Sequence, residues 1–280
     1  MRKSFLIAAL FAAMTMNATD LFTGSHAVTW DTPLNLEAAK FAAAQPGQKI
    51  VVSYTDGKDG IEFKILDVWS HLAGSREAAW LGESGNYEQF LTAAAVEQIK
   101  AKGLQIVGNH FTCTKVELVD GKDLKQGITV WTGFFWADSW STLELYKEGY
   151  NAVDFSKVDA IRFYSEAKGA GYILNFLKGW GEGEKFADQS AMTDGEGYKE
   201  LKLTDDLRTA IAAAEHWMVQ FNKESLDAFN VTDIVLVEKA GETTAVSNTV
   251  MQAKVTKRIV NGQVVIIRDG QTFNMLGAQF

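Results

Sequence analysis

The chain has 280 residues, of which 47% are hydrophobic, 22% charged and 2 proline, and that balance excludes an intrinsically disordered protein. Its formal net charge of −8 argues against a nucleic-acid partner, because binding to a phosphate backbone draws on clustered Lys and Arg, and the sequence holds no such cluster. The length accommodates about two domains of ~100–150 residues, each able to bury a core.

Residues 1–18 begin with Arg2 and Lys3, continue through the apolar run Phe5–Met14 and reach small polar residues at Asn17 and Ala18. This is the layout of a secretory signal peptide, and the apolar run is too short for a membrane span. A mature chain starting near Thr19 is therefore expected, secreted or held at the outer cell surface. No cysteine follows the apolar run, so a lipid anchor is not expected. The single cysteine, Cys113, alternates into a strand-like segment as a core residue and precludes an intrachain disulfide.

From Thr19 the elements are short. Leu21–Leu36 reads as one or two strands broken at Asp31-Thr32-Pro33, and Leu36–Ala44 as a short helix or an extended segment ended by Gln45-Pro46-Gly47. Lys49–Thr55 and Ile61–Leu66 pattern as a hairpin across Asp56–Gly60. Ser70–Gly85 reads as a loop holding one short strand. Thr92–Ala101 favours a helix closed by Gly103, and Leu104–Val107 and Thr112–Val119 are two further strands.

The second half repeats this order. Trp131-Thr132-Gly133 answers Phe22-Thr23-Gly24, Ala160–Ser165 answers Ile50–Thr55, and Tyr172–Leu177 answers Ile61–Leu66. Trp180 falls where Trp69 does, Tyr198 where Tyr87 does, Leu203–Ala213 where the first helix does, and Val231–Val237 where Thr112–Val119 does. A repeat of roughly 100 residues is too long for a solenoid unit and fits tandem domains. The expected fold class is all-β with one short helix per domain, as two tandem jelly-roll-like β-sandwiches. Their expected bounds are 19–120 and 128–239, then a linker at 240–256 and a β-hairpin tail at 257–280, where Asn261-Gly262 and Asp269-Gly270 supply hairpin turns.

Val130–Leu145 carries Trp131, Trp136 and Trp140, and Leu21–Leu36 is its weaker copy. The aromatic-Thr-Gly opening with a later Trp, the Leu-Thr-Asp-Asp-Leu helix, and the Thr-x-Thr-Lys-Val-Glu-Leu ending at Thr112–Leu118 together resemble repeated jelly-roll modules of secreted polysaccharide-degrading proteins. Such modules are similar to carbohydrate-binding modules. The tail, with Ile266–Gly270 and Phe273-Asn274, resembles the C-terminal sorting signals of the type IX secretion system.

A sugar ring presents a face of C–H groups to an indole, while side-chain amides take its hydroxyls. On that basis Trp131 is expected in the core, and Trp140 and Trp30 as equivalent positions that either pack or meet ligand. Trp180, between two glycines, and Trp69, its counterpart, are expected as exposed platforms. Trp136 and Trp80 have no counterpart in the other copy and either extend a site or pack. The resemblance implies a glutamine in the strand before the last turn; Gln220 occupies that place, whereas the first copy has Val107 there with Gln105 alternating onto the same face.

The expected function is non-catalytic binding of a plant-type or microbial polysaccharide or oligosaccharide, chiefly through the second copy, with a glycoside hydrolase on another chain as a candidate partner. A structural or adhesive β-sandwich protein of the cell surface is the alternative. Glycosidases need two carboxylates ~5–10 Å apart, and Glu182, Glu184 and Asp188 are the nearest candidates without forming a recognisable pair. The four histidines lack metal-ligand spacing, so no cofactor is expected. Asp56–Gly60 and Asp194–Gly197 are candidate structural calcium loops, but neither completes an EF-hand.

Overall fold

The computed structural model describes residues 18–57, 61–76, 79–138, 140–167, 172–179, 185–222, 228–241, 256–260, 263–268 and 271–273. The chain divides into two compact units, one ending at Asp123 and the other starting at Leu124.

The first unit contains β1 (Thr19–Val28), β2 (Leu34–Leu36), β3 (Lys49–Thr55), β4 (Ile61–Asp67), β5 (Ser70–His71), β6 (Ala79–Leu81), β7 (Gly85–Phe90), α1 (Ala93–Lys102), β8 (Leu104–Gly108) and β9 (Phe111–Val119). Its strands form one sheet in the order β1-β9-β3-β7 and a second in the order β2-β8-β4-β5, with β6 also paired to β4. The pairings are antiparallel. Period-2 alternation makes these strands two-faced. In β3, for example, Ile50, Val52 and Tyr54 turn inward and the residues between them do not. Ile50, Val52 and Val116 of one sheet share a core with Phe63, Ile65 and Ile106 of the other, so the unit is a β-sandwich. Cys113 lies in this core, fully buried.

The second unit contains β10 (Ile128–Ala137), β11 (Thr142–Tyr146), β12 (Val158–Ser165), β13 (Ile173–Leu177), β14 (Lys185–Ala187), β15 (Met192–Gly195), β16 (Tyr198–Lys202), α2 (Asp205–Ala213), β17 (His216–Asn222) and β18 (Phe229–Glu238). Its sheets run β10-β18-β12-β16-β15 and β11-β17-β13-β14. Apart from the added edge strand β15, this is the order of the first unit, with β10, β18, β12 and β16 replacing β1, β9, β3 and β7. The sequence repeat is therefore a repeat of topology. The core joins Ile161, Phe163 and Ile234 to Leu174, Phe176 and Trp217.

Both helices start on a threonine. The Thr92 and Thr204 hydroxyls accept the backbone N–H of Ala95 and Leu207, satisfying a donor that a helix N-terminus leaves open. The second helix thus begins at Asp205, two residues later than the sequence pattern suggests. Gly103 closes α1 with φ +88, and a Cβ there would stand 2.3 Å from the Leu36 carbonyl oxygen.

Three readings differ from the sequence expectation. Lys49–Thr55 and Ile61–Leu66 are strands but not a hairpin: β3 pairs with β7 and β9, whereas β4 pairs with β5, β6 and β8 in the other sheet, because alternation sets a strand's faces and not its partner. Leu36–Ala44 is neither a full helix nor extended: β2 ends at Leu36 and one 3₁₀ turn covers Ala38–Phe41. Ser70–Gly85 holds β5, β6 and the start of β7 rather than one short strand.

The tail forms a separate antiparallel sheet of β19 (Thr256–Val260), β20 (Gln263–Arg268) and β21 (Gln271–Phe273). The expected turn residues Asn261-Gly262 and Asp269-Gly270 lie outside the described residues, as do the expected signal peptide up to Asn17 and most of the 240–256 linker.

Candidate functional site

The structure divides the tryptophans by exposure. Trp131 and Trp217 are buried at 3% and 0%, whereas Trp30, Trp69, Trp136 and Trp140 stand 36%, 58%, 63% and 55% exposed. Trp180 lies outside the described residues, as do Glu182 and Glu184. Asp188 caps a short 3₁₀ turn, and hydrogen bonds from the Ser190 hydroxyl and backbone N–H hold its carboxyl below the usual range.

In the first unit, Trp30 and Trp69 attach to the same sheet face. Ile61, Phe63 and Ile65 of β4 point into the core, which turns Glu62, Lys64 and Leu66 to the outer face. On β8, Leu104 and Ile106 are core, and Gln105 and Val107 share the outer face. Register sets Lys64 beside Val107, and Gln105 between Leu66 and Asn35. The Lys64 ammonium lies 5.8 Å from the centroid of the Trp30 ring. The Gln105 side-chain oxygen accepts the backbone N–H of Trp69 at 2.7 Å.

Gln105 is only 9% exposed and its carbonyl oxygen is already engaged, so it holds Trp69 rather than facing solvent. Val107 and Leu66 are also buried, at 0% and 7%. The accessible side chains of this face are the exposed Asn35, the half-buried Glu62 and Lys64, and Trp30 over Lys64, with Trp69 held at its edge through the backbone.

In the second unit, Trp140 and Gln220 are linked through Thr142. Thr142 pairs with Gln220, and Gln220 pairs with Asn175, in one row across β11, β17 and β13. The Thr142 hydroxyl donates to the Trp140 carbonyl at 3.5 Å, and the Asn175 amide donates to the Gln220 side-chain oxygen at 3.4 Å. This row lies on the outer face, because Leu143, Val219 and Leu174 beside it are core residues. Trp140 stands on a tight turn in which Ser141 hydrogen-bonds to the Asp138 carboxylate and accepts the Asp138 N–H.

Trp136 belongs elsewhere. It lies on β10, two residues from the 56% exposed Phe134 and opposite Asn230 of β18, while Phe135 and Ala137 face the core. β10 and β11 belong to different sheets, so Trp136 and Gln220 occupy opposite outer faces of the sandwich.

In the candidate calcium loops, positions 58–60 lie outside the described residues, and the Asp194 carboxylate is 2.5 Å from the Lys199 ammonium. Among the described residues, no group of three or more His, Cys, Asp or Glu side chains is placed to hold a metal ion. No helix among them is long and apolar enough to cross a membrane.

Sequence reasoning missed the backbone beneath the indoles. Trp69 and Trp140 both have positive φ, +71 and +61, and Val68 has φ +40. Positive φ is a glycine or asparagine conformation, and a bulky or β-branched residue there is an outlier. Neither Val-Trp nor Asp-Ser-Trp-Ser carries a sequence signal for it.

No family model matches the chain, and no curated protein does. Among solved structures, the chain is similar to the Bacteroides ovatus mixed-linkage glucan utilization locus protein SGBP-B in complex with a mixed-linkage heptasaccharide, at 22% identity. The likeness covers 36% of this chain and 30% of that one, with a TM-score of 0.32.

Proposed function

We propose that the chain is a secreted, non-catalytic carbohydrate-binding protein that takes polysaccharide or oligosaccharide through exposed tryptophans in both units. The observation that carries this reading is that Trp69 and Trp140 stand in solvent on left-handed turns, Trp69 bonded through its backbone to Gln105 and Trp140 bonded to Thr142, the β11 residue that pairs with Gln220 of β17. Large apolar side chains are normally taken out of water, and holding a flat one outward on a costly backbone suits a flat apolar ligand face.

Stacking a sugar ring that covers roughly 100 Å² of indole contributes about 2.5 kcal/mol before ordering costs. One platform is therefore a weak site. Two units on one chain raise retention on a polymer through effective concentration. A glycoside hydrolase on another chain is the partner class this reading implies.

Affinity electrophoresis of the full chain through gels containing mixed-linkage β-glucan, glucomannan or xylan tests the reading. Retardation by at least one polymer is expected, weakened in Trp69→Ala or Trp140→Ala and lost in the double variant, with circular dichroism unchanged. Equal retardation of the double variant and the unsubstituted chain would sink it.

One observation favours a second reading, a structural or adhesive surface protein. Phe134 and Trp136 lie exposed side by side on β10, the edge strand of its sheet, which is a template for contact with another protein. Concentration-dependent association abolished by Phe134→Ser/Trp136→Ser, with no retardation in any gel, selects that reading.

A further inference from the structure

Val68 and Trp69 form the entire loop of a two-residue hairpin. Asp67 pairs with Ser70 and Leu66 with His71, leaving only these two residues at the tip. Both have positive φ, +40 and +71, the signature of the turn that matches strand twist and that asparagine and glycine ordinarily supply. A valine and a tryptophan occupy it instead, and both stand in solvent, 52% and 58% exposed.

Such a conformation persists only where the surroundings over-determine it. Three side chains from α1 and β8 do so. Gln105 accepts the Trp69 N–H at 2.7 Å, fixing the second turn residue directly. Gln98 donates to the His71 carbonyl at 3.2 Å and accepts the Ala73 N–H at 2.6 Å, holding the strand that leaves the turn. Lys102 reaches the fully buried Asp67 carboxylate at 2.9 Å, holding the strand that enters it.

We propose that this hairpin is a pre-strained presenting device and that Gln105 is its positioning residue. The clamps hold the turn in a left-handed form the two residues would not choose, so that the Trp69 backbone is set before any ligand arrives. The functional half of the proposal rests on the reading of Trp69 as a glycan platform. The mechanical half rests on the geometry alone. Pre-setting the backbone removes part of the ordering cost that a mobile loop incurs on binding.

Three variants of the full chain test it: Val68→Asn, Gln105→Leu and Gln105→Glu. Asparagine tolerates positive φ, so Val68→Asn is expected to raise the Tm by roughly 4 °C and to leave retention on mixed-linkage β-glucan unchanged. With 5-fluorotryptophan incorporated, and the Trp69 signal assigned by its loss in Trp69→Phe, the ¹⁹F resonance of Trp69 is expected to be single and narrow. Gln105→Leu broadens or splits it and weakens retention by roughly two- to tenfold, and Gln105→Glu, which keeps an acceptor, restores both.

A lowered Tm in Val68→Asn, or an unaltered Trp69 line in Gln105→Leu, overturns the proposal. Absence of retention of the unsubstituted chain by mixed-linkage β-glucan, glucomannan and xylan alike, with the line and Tm results as expected, removes the glycan reading and leaves the hairpin device standing.

Discussion

Tyr150 lies flat on Trp217, their ring centroids 3.9 Å apart and their planes 14° from parallel. Phe155 and Phe176 meet the same indole edge-on, at 6.0 and 5.5 Å, and its N–H donates to the Ile211 carbonyl at 3.2 Å. This tryptophan is fully buried and satisfied, the opposite of Trp140 in the same unit. Trp217→Ala should therefore cost about 3–5 kcal/mol in urea unfolding followed by circular dichroism. A cost comparable to that of Trp140→Ala would contradict the division of indoles into core and platform.

The two helix caps are chemically alike but differently placed. Thr92 is fully buried, whereas Thr204 is exposed, so water can replace the Thr204 hydroxyl and not that of Thr92. Thr92→Ala is expected to cost about 2 kcal/mol and Thr204→Ala about 0.5–1 kcal/mol, read from chemical denaturation.

Lys199 places an ammonium at the second unit's interior edge, its side chain 3% exposed, 2.5 Å from the half-exposed Asp194 carboxylate and 4.8 Å from the Tyr172 ring centroid. Asp194→Asn strands that charge and should destabilise by about 1–2 kcal/mol, the exposed carboxylate being partly screened. Lys199→Met removes the charge and keeps the volume, and should lie within about 1 kcal/mol of the unsubstituted chain. Thermal unfolding of the two single variants checks the ordering.

Burial pushes the Tyr172 hydroxyl up to about 12 and the Cys113 thiol up to about 11, and it raises Tyr150 as well. Each group holds its proton more tightly folded than unfolded. The stability this confers is complete below the unfolded values and is lost as pH rises through the folded ones. The Tm should therefore fall between about pH 9 and pH 12, and Tyr172→Phe should flatten part of that slope. A Tm constant to pH 12 would show that these groups ionise freely in the folded chain.

The strands, the repeat and the core side of Trp131 were legible because period-2 alternation and Gly/Asp turns are local properties of the chain. Cys113 and the closure of α1 at Gly103 follow for the same reason: each is decided by neighbours within a few residues. Ser70–Gly85 was not legible as β5, β6 and the start of β7, because strands of 2 or 3 residues show no period.

The amino-acid order by itself thus determined which residues alternate into the two sandwiches, and that tryptophan recurs outside their cores. Only tertiary structure decided which tryptophans share a face. Gln105 and Trp69 meet because β8 pairs with β4 and puts a side-chain oxygen within 2.7 Å of a backbone N–H 36 residues away. Trp136 and Trp140, four residues apart, part because β10 and β11 enter different sheets. The left-handed turn at Val68-Trp69 is held by long-range clamps against local preference, so no local pattern could announce it.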